Sequence, residues 1–290
     1  MTLHDLTGSL RVRQWTKNVV VFAALIFAGR ATDSGFLVRS AAAFFLFSLV
    51  SGAVYVFNDI LDIAHDSLHP LKRSRPIASG RIPLPAAWTL FIVTAGAALI
   101  GAFLLDTGFG AVATAYFTLQ AFYSMYLKNI IILDVFIISI GFVLRVVAGA
   151  VVLNVDISSW ILVCTMLLAL FLALSKRRHE ITLLESGASD HRVILAEYSP
   201  YLLDQMIGVV TSATLVAYMI FTLSDETVAK FGKYLILTVP FVLYGIFRYL
   251  YLVHNKNAGG QPEEVLLTDI PLQIAIAGYG LTAIAVIYFS

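Results

Sequence analysis

The chain has 290 residues, 59% of them hydrophobic and 13% charged, with a formal net charge of +1. That much apolar surface exceeds what a water-soluble domain of ordinary composition hides, so an all-α integral membrane protein is expected, and the near-neutral charge points to no nucleic-acid partner. The one cysteine, Cys164, lies inside an apolar run, which excludes a disulfide framework.

The chain opens on a basic aromatic patch, Arg11, Arg13, Gln14, Trp15, Lys17 and Asn18. Trp15 suits headgroup depth, and interfacial anchoring accounts for Arg11 and Arg13 as well as substrate contact does. Lys17 and Asn18, at the start of the first span, are the better substrate-binding candidates. The apolar stretch continues past any small-residue cleavage site into further spans, so no removable signal peptide is expected. Nine transmembrane helices are expected, at about 17–29, 36–57, 86–105, 109–127, 131–153, 158–174, 206–223, 234–252 and 270–289. The bundle is read as a single transmembrane domain over 1–290, compatible with a homo-oligomer. Basic residues sort by side. Arg11, Arg13, Lys17, Lys72, Arg73, Arg75, Arg81, Lys128, Lys176, Arg177, Arg178, Arg192 and Lys256 share one side, against Arg30, Arg39, Lys230 and Lys233 on the other. The basic side is therefore expected in the cytoplasm, with the N-terminus inside and the site on the cytoplasmic face of the cell (inner) membrane. Its two long connections, 58–85 and 175–205, are where function is expected.

At the mouth of the second span stands Asn58-Asp59-Ile60-Leu61-Asp62-Ile63-Ala64-His65-Asp66. At about 100° per residue, Asn58, Asp59, Asp62 and Asp66 share one helical arc of roughly 100°. Clustered carboxylates repel and take up protons unless a cation sits between them, and the natural cation for an all-oxygen set is Mg²⁺, which keeps waters and takes further ligands from phosphates. The connection then turns basic through Lys72, Arg73 and Arg75, as a metal-bound diphosphate requires: carboxylates hold the metal, and Lys72 and Arg75 meet the remaining oxygens. A solvated helix end would also carry charge, but it does not require amide and acids on one face.

Tyr126 and Lys128 close the fourth span and Asp134 opens the fifth, in which Arg145 is flanked by Gly141 and Gly149. A charge at that depth must face the bundle interior, a carboxylate or a polar cavity, and the glycines open a groove for a helix or ligand. A purely structural ion pair is the competing account of Arg145. After the sixth span comes Ser175-Lys176-Arg177-Arg178-His179-Glu180. This run suits a positive-inside anchor or an anion grip, and Glu180 can form an ordinary i,i+4 pair with Lys176.

Asn-Asp-x-x-Asp-x-x-x-Asp followed by Lys-x-x-Arg-Pro-Ile-x-x-Gly resembles the UbiA superfamily of intramembrane prenyltransferases, over the whole chain. The resemblance implies a UbiA-like helical bundle with Mg²⁺ and the donor diphosphate on Asn58, Asp59, Asp62 and Asp66, of which Asp59, Asp62 and Asp66 are the catalytic carboxylates. Typical members that bind a polyprenyl diphosphate carry a second acidic motif where this chain has Lys176 to Glu180. With Arg-Gln-Trp-Thr-Lys-Asn, Leu133-Asp134-Val135 and Arg145-Val146-Val147-Ala148-Gly149-Ala150, the chain looks like the decaprenyl-phosphate phosphoribosyltransferase branch. That branch implies 5-phosphoribosyl diphosphate as donor and a polyprenyl phosphate as acceptor. Lys176, Arg177 and Arg178 then suit the donor's 5-phosphate, Lys17 and Lys128 the lipid phosphate, and Tyr126 a polar contact, with Asn18, Asp134, Arg145 and Glu180 in the substrate-binding set. Two other functions compete: an aromatic prenyltransferase using a polyprenyl diphosphate, against which the missing second acidic motif argues, and a small transporter, against which the one-sided charge argues.

Overall fold

The structure, a computed structural model, describes residues 2–68, 72–185, 195, 197–256 and 262–289. His69, Pro70 and Leu71 of the first long connection, and most of 186–196 of the second, including Arg192, lie outside the described residues. The chain divides into two compact units, Met1–Asp156 and Ile157–Ser290.

The first unit begins with α1 (Leu3–Ser9), a 3₁₀ helix (Val12–Phe22) and α2 (Ala23–Phe27). The first expected span is thus not a continuous α-helix. A 3₁₀ helix rises about 2.0 Å per residue against 1.5 Å for an α-helix, so these two pieces together reach about 30 Å, near the thickness of a hydrocarbon core. The β-branched run Val19-Val20-Val21 lies in this stretch, where branched side chains crowd an α-helical turn. α3 (Ser34–Leu61) starts on Asp33, whose carboxylate accepts the backbone N–H groups of Gly35 and Phe36. Its 28 residues reach about 42 Å, longer than the apolar core, so its polar end, Asn58 onward, projects past the hydrocarbon. α4 (Ile63–Leu68) follows after a slight break at Asp62, with φ −96° and ψ 10°. The i→i−4 pattern nonetheless crosses the break: Asp62 N donates to Asn58 O at 2.9 Å and Asp66 N to Asp62 O at 2.8 Å.

α5 (Leu84–Leu105) and α6 (Thr107–Met125) meet at Asp106, whose carboxylate caps α6 by accepting Phe109 N–H at 2.8 Å. α7 (Leu133–Leu153) closes the unit. Phe57 on α3 stacks on Phe91 of α5, which stacks on Phe117 of α6, so an aromatic seam lies directly below the acidic end of α3.

The second unit holds α8 (Ser159–Glu185), α9 (Pro200–Leu223), α10 (Asp225–Phe231), a 3₁₀ helix (Lys233–Thr238), α11 (Val239–Lys256), α12 (Pro262–Thr268) and α13 (Ile270–Phe289). α8 continues past the apolar span that ends near 174 and carries Lys176 to Glu180 on helix. Arg248 of α11 grips Asp269 with two hydrogen bonds, at 3.1 and 2.8 Å, and Asp269 also accepts Leu272 N–H at the start of α13. These bonds hold the Asp269 carboxyl below its ordinary range.

Among the described residues, seven helices are long and apolar enough to cross a membrane, not the expected nine. The two differences are the 3₁₀-containing first span and α6, whose Thr114, Tyr116, Thr118, Gln120 and Ser124 dilute its apolar content.

Candidate active site

The acidic end of α3 is built as the helical period requires. Asn58, Asp62 and Asp66 succeed one another at i,i+4 on one face, and Asn58 Nδ2 donates to Asp62 Oδ2 at 3.0 Å. Asp59 and Asp66 are buried, 2% and 3% exposed. Unpaired, two such carboxylates would each carry a desolvation penalty of several kcal/mol, so each needs a cation in contact. The protein supplies them. Arg11 Nη2 donates to Asp59 Oδ1 at 2.5 Å, and Arg75 Nη1 stands between Asp59 Oδ1, at 3.1 Å, and Asp66 Oδ2, at 2.5 Å. Lys128 Nζ donates to Asp62 Oδ1 at 2.6 Å.

Each cation is fixed by local packing. Arg11 sits in the left-handed region, φ 50° and ψ 51°, at the turn between α1 and the first 3₁₀ helix, with its guanidinium 4.7 Å above the Tyr55 ring. That turn can lie against α3 because Gly52 has no side chain: a Cβ there would come within 3.2 Å of the Leu10 carbonyl oxygen. Arg75 rides on a connection pinned at both ends. Ile77 and Ile82 are buried with Val56, Ile60 and Ala87, while Arg81 donates to Asp5 Oδ1 at 2.9 Å and to the Ser74 carbonyl at 2.8 Å. The Asp5 carboxyl is held down at about 2, first by the backbone N–H and hydroxyl of Thr2 and then by Arg81. Lys128 lies in a short 3₁₀ turn, Leu127–Asn129, after Tyr126, which is exposed.

A second polar node lies deeper. The Arg145 guanidinium, 5% exposed, donates through Nε to Asn18 Oδ1 at 2.6 Å, through Nη1 to the Gly141 carbonyl at 2.8 Å and through Nη2 to Tyr116 Oη at 2.8 Å. Its cationic face also covers the rings of Tyr116 and Phe142, at 4.7 and 5.1 Å. Asn18 in turn donates to Ser48 Oγ at 2.9 Å and Ser51 Oγ at 3.1 Å. The side chains of these two expected substrate-binding residues join α7 and α6 to the first 3₁₀ helix and α3. The ion pair considered for Arg145 is replaced by neutral acceptors and π faces. The groove expected beside Gly149 is filled by the chain itself, since a Cβ there would stand 2.0 Å from the Val21 carbonyl oxygen. Lys17, one residue from Asn18, donates to Gln14 Oε1 at 3.3 Å. Asp134 is fully buried in the first turn of α7.

In the second unit, Arg177 pairs with Glu180 at 2.6 Å, an i,i+3 contact along α8. Arg178 bonds Asp204 at 2.9 Å and also Thr182, and His254 reaches the same Asp204 oxygen at 3.3 Å. Lys176, Arg177 and Glu180 have further partners within the chain.

Lys72 lies half-buried in the 3₁₀ turn Lys72–Ser74, just before Arg75. Sequence reasoning left Arg11 between interfacial anchoring and substrate contact and did not foresee its pairing with Asp59; the only hint was its place in the basic patch. Tyr116, Ser48 and Ser51 gave no signal at all. Among the described residues no three His, Cys, Asp or Glu side chains converge as a metal site would. The Arg75 guanidinium stands between Asp59 and Asp66, while Arg11 contacts Asp59 and Lys128 contacts Asp62. The donor set itself, three carboxylates and an amide with no sulfur or imidazole, suits a hard divalent cation of the Mg²⁺ class.

Apolar helices of membrane-spanning length with a dense ion cluster at the polar end of one of them define an all-α integral membrane protein. The profile of the UbiA prenyltransferase family matches residues 18–265, and the chain belongs to this family of membrane enzymes. It is 33% identical over 288 residues to a protein of Corynebacterium glutamicum named decaprenyl-phosphate phosphoribosyltransferase, covering 97% of this chain and 86% of that protein. A protein of the same name from Mycolicibacterium smegmatis is 32% identical over 297 residues, covering 98% and 93%. The solved structure of a UbiA homolog from Archaeoglobus fulgidus bound to DMAPP and Mg²⁺ superposes with a TM-score of 0.73 at 16% identity, over 99% of this chain and 100% of that one, a likeness of fold.

Proposed function

We propose that this enzyme transfers 5-phosphoribose from 5-phosphoribosyl 1-diphosphate to a polyprenyl phosphate and releases diphosphate. The observation that carries the reading is the likeness, over nearly the whole chain, to two proteins named decaprenyl-phosphate phosphoribosyltransferase. The chemistry of the site supports it. The donor brings a diphosphate and a second phosphate, and the acceptor brings a third anion, so such an enzyme needs more cations than one that binds a prenyl diphosphate alone.

Asn58, Asp59, Asp62 and Asp66 are the proposed Mg²⁺ ligands, and the metal, when bound, would stabilise the leaving diphosphate. Lys72 and Arg75 take diphosphate oxygens. As the bond at ribose C1 lengthens, the sugar becomes oxocarbenium-like, and the lipid phosphate, already an anion, attacks without a general base. Lys17 and Lys128 orient that phosphate, Tyr126 makes a polar contact, and in-line attack inverts the anomeric centre. Lys176, Arg177 and Arg178 are assigned to the 5-phosphate on the chemistry of their run. Preorganised charge supplies most of the rate. The N-terminus and the site are assigned to the cytoplasmic side of the membrane, on the distribution of basic residues.

The test is transfer of label from ribose-labelled 5-phosphoribosyl diphosphate into an organic-extractable product by purified protein with Mg²⁺ and a polyprenyl phosphate. Lipid-soluble label that EDTA abolishes is the expected result. No ribose transfer, with prenylation of an aromatic acid in a parallel assay, would replace the reading with that of an aromatic prenyltransferase.

A further inference from the structure

Two guanidinium groups share one atom: Arg11 Nη2 lies 2.5 Å and Arg75 Nη1 3.1 Å from the same oxygen, Asp59 Oδ1. Cations that close repel each other. Arg11 carries a further unfavourable contribution, because its backbone is left-handed, φ 50° and ψ 51°, a conformation that costs a residue with a Cβ free energy. Both effects draw Arg11 away from Asp59, so the arm that carries it needs an anchor of its own. The anchor is the other arm. Arg81, on the connection that carries Arg75, donates through Nε to Asp5 Oδ1 of α1 at 2.9 Å, and through Nη2 at 2.8 Å to the carbonyl of Ser74, the residue before Arg75. Asp5 is 5% exposed, and its Oδ2 accepts the Thr2 N–H at 2.9 Å and the Thr2 hydroxyl at 2.7 Å in a capping box. Gly8 lies flush on Pro76, where a Cβ would stand 3.4 Å from Pro76 Cγ. Each arm is braced between this joint and its arginine. In the first, Leu10 N donates to Leu6 O and Arg11 N to Gly8 O; in the second, Ser79 N donates to Arg75 O and Ile82 N to Pro76 O.

We infer that Asp5 and Arg81 are positioning residues of the active site: their ion pair clamps α1 to the connection, and the clamp keeps Arg11 and Arg75 together on Asp59. The inference rests on the reading that the acidic end of α3 is the catalytic centre, and it adds two residues that no motif of the sequence marked. Asp5 and Arg81 stand 76 residues apart in the chain and neither touches Asp59, so they act only through the arginines they place. A helix as short as α1, seven residues, does not persist in water without tertiary contacts, and its charge-assisted bond to Arg81 is one of the few it has. Opening the clamp would free the backbone of Arg11 to leave the left-handed region, and its guanidinium would leave Asp59 with it. The connection would lose its tie to α1 at the same time, which loosens Arg75. A clamp therefore has a signature that two independently packed arms lack: breaking it from either side loosens both.

The experiment is hydrogen exchange read by mass spectrometry on the purified full chain in detergent, beside the label-transfer assay. Arg81→Gln, at a side chain 49% exposed, should speed exchange of the amides of α1 at least about fivefold, and Asp5→Asn should do the same to residues 72–82. Arg73→Gln removes a charge from the same connection at an exposed position and should change neither by more than about twofold. In transfer, Asp5→Asn and Arg81→Gln should each lower kcat/KM about tenfold, but by no more than about twofold when added to Arg11→Gln, because the cation they place is then gone. Faster exchange confined to the arm that carries the substitution would overturn the inference, as would losses of kcat/KM that multiply fully with that of Arg11→Gln. Should Arg81→Gln fail to fold, Arg81→Lys, which keeps the charge and can make one of the two bonds, must show the same effect on α1 at smaller size, and its absence overturns the inference equally. Ribose transfer with no effect between the arms overturns the clamp alone; the effect between the arms without ribose transfer overturns the choice of donor alone.

Discussion

Replacing Asn18 by Ala and Arg145 by Met, singly and together, tests whether the buried guanidinium acts by positioning the first 3₁₀ helix. Arg145→Met keeps most of the apolar stem but removes three hydrogen bonds, to Asn18, Gly141 and Tyr116. The Gly141 carbonyl lies within α7, so the groups left wanting are Asn18 Oδ1 and the Tyr116 hydroxyl. An unsatisfied buried polar group costs about 1–3 kcal/mol, which gives roughly 2–6 kcal/mol for the two. Against this stands relief from burying a cation that has no carboxylate in contact, also several kcal/mol, so the single change in unfolding free energy should be small. The pair energy is not subject to that cancellation. A hydrogen bond to a charged group contributes about 1.5–3 kcal/mol, and the 2.6 Å Nε–Oδ1 distance is that of a charge-assisted bond. The double-mutant cycle should therefore return a coupling of about 1.5–3 kcal/mol from equilibrium unfolding in detergent. Turnover should fall in both single variants with KM for the donor nearly unchanged, because both side chains are buried and turned to partners within the bundle. Additivity within about 0.5 kcal/mol would refute the positioning role, and a large rise in KM for either substrate in Arg145→Met would return Arg145 to the binding set.

Other changes read out other joints of the site. Gly149→Ala places a Cβ 2.0 Å from the Val21 carbonyl oxygen, a backbone atom that cannot rotate away. It should lower stability by about 1–3 kcal/mol in the same unfolding measurement, and an unchanged midpoint would show that the first 3₁₀ helix is not held there. Asp62→Asn should abolish transfer while leaving the solubilised protein folded by circular dichroism and gel filtration; substantial remaining Mg²⁺-dependent activity would sink the metal assignment. The Asp5 carboxyl, held down at about 2 against an ordinary value of 3.8, contributes stability that is present above the unfolded value and lost as pH falls through the folded one. Protection of α1 from proteolysis or hydrogen exchange should therefore persist down to about pH 4 and decline towards pH 2, and loss beginning near pH 6 would contradict this.

Much of the architecture is local and so was open to sequence reasoning. Seven expected spans recur as apolar helices, because length and apolar content suffice for a chain that must satisfy its backbone within each segment. The shared face of Asn58, Asp62 and Asp66 follows from helical period alone and survives the break at Asp62. Where prediction missed, the cause was also physical. The first expected span uses the longer rise of a 3₁₀ helix, which hydropathy does not register.

By itself the sequence determined that three carboxylates and an amide share one helix face at a polar membrane boundary, and that cations must accompany them. It did not determine which cations. Arg11 lies 48 residues from Asp59, Lys128 lies 66 from Asp62, and Arg145 lies 127 from Asn18. Periodicity along one helix is fixed by backbone geometry, whereas these partners are chosen by helix packing: a left-handed turn seated on Gly52, a pinned connection carrying Arg75, and a carbonyl pressed onto Gly149. Tertiary structure therefore decided which cations meet the charge of the carboxylates, because only packing brings residues so distant in sequence to the end of one helix.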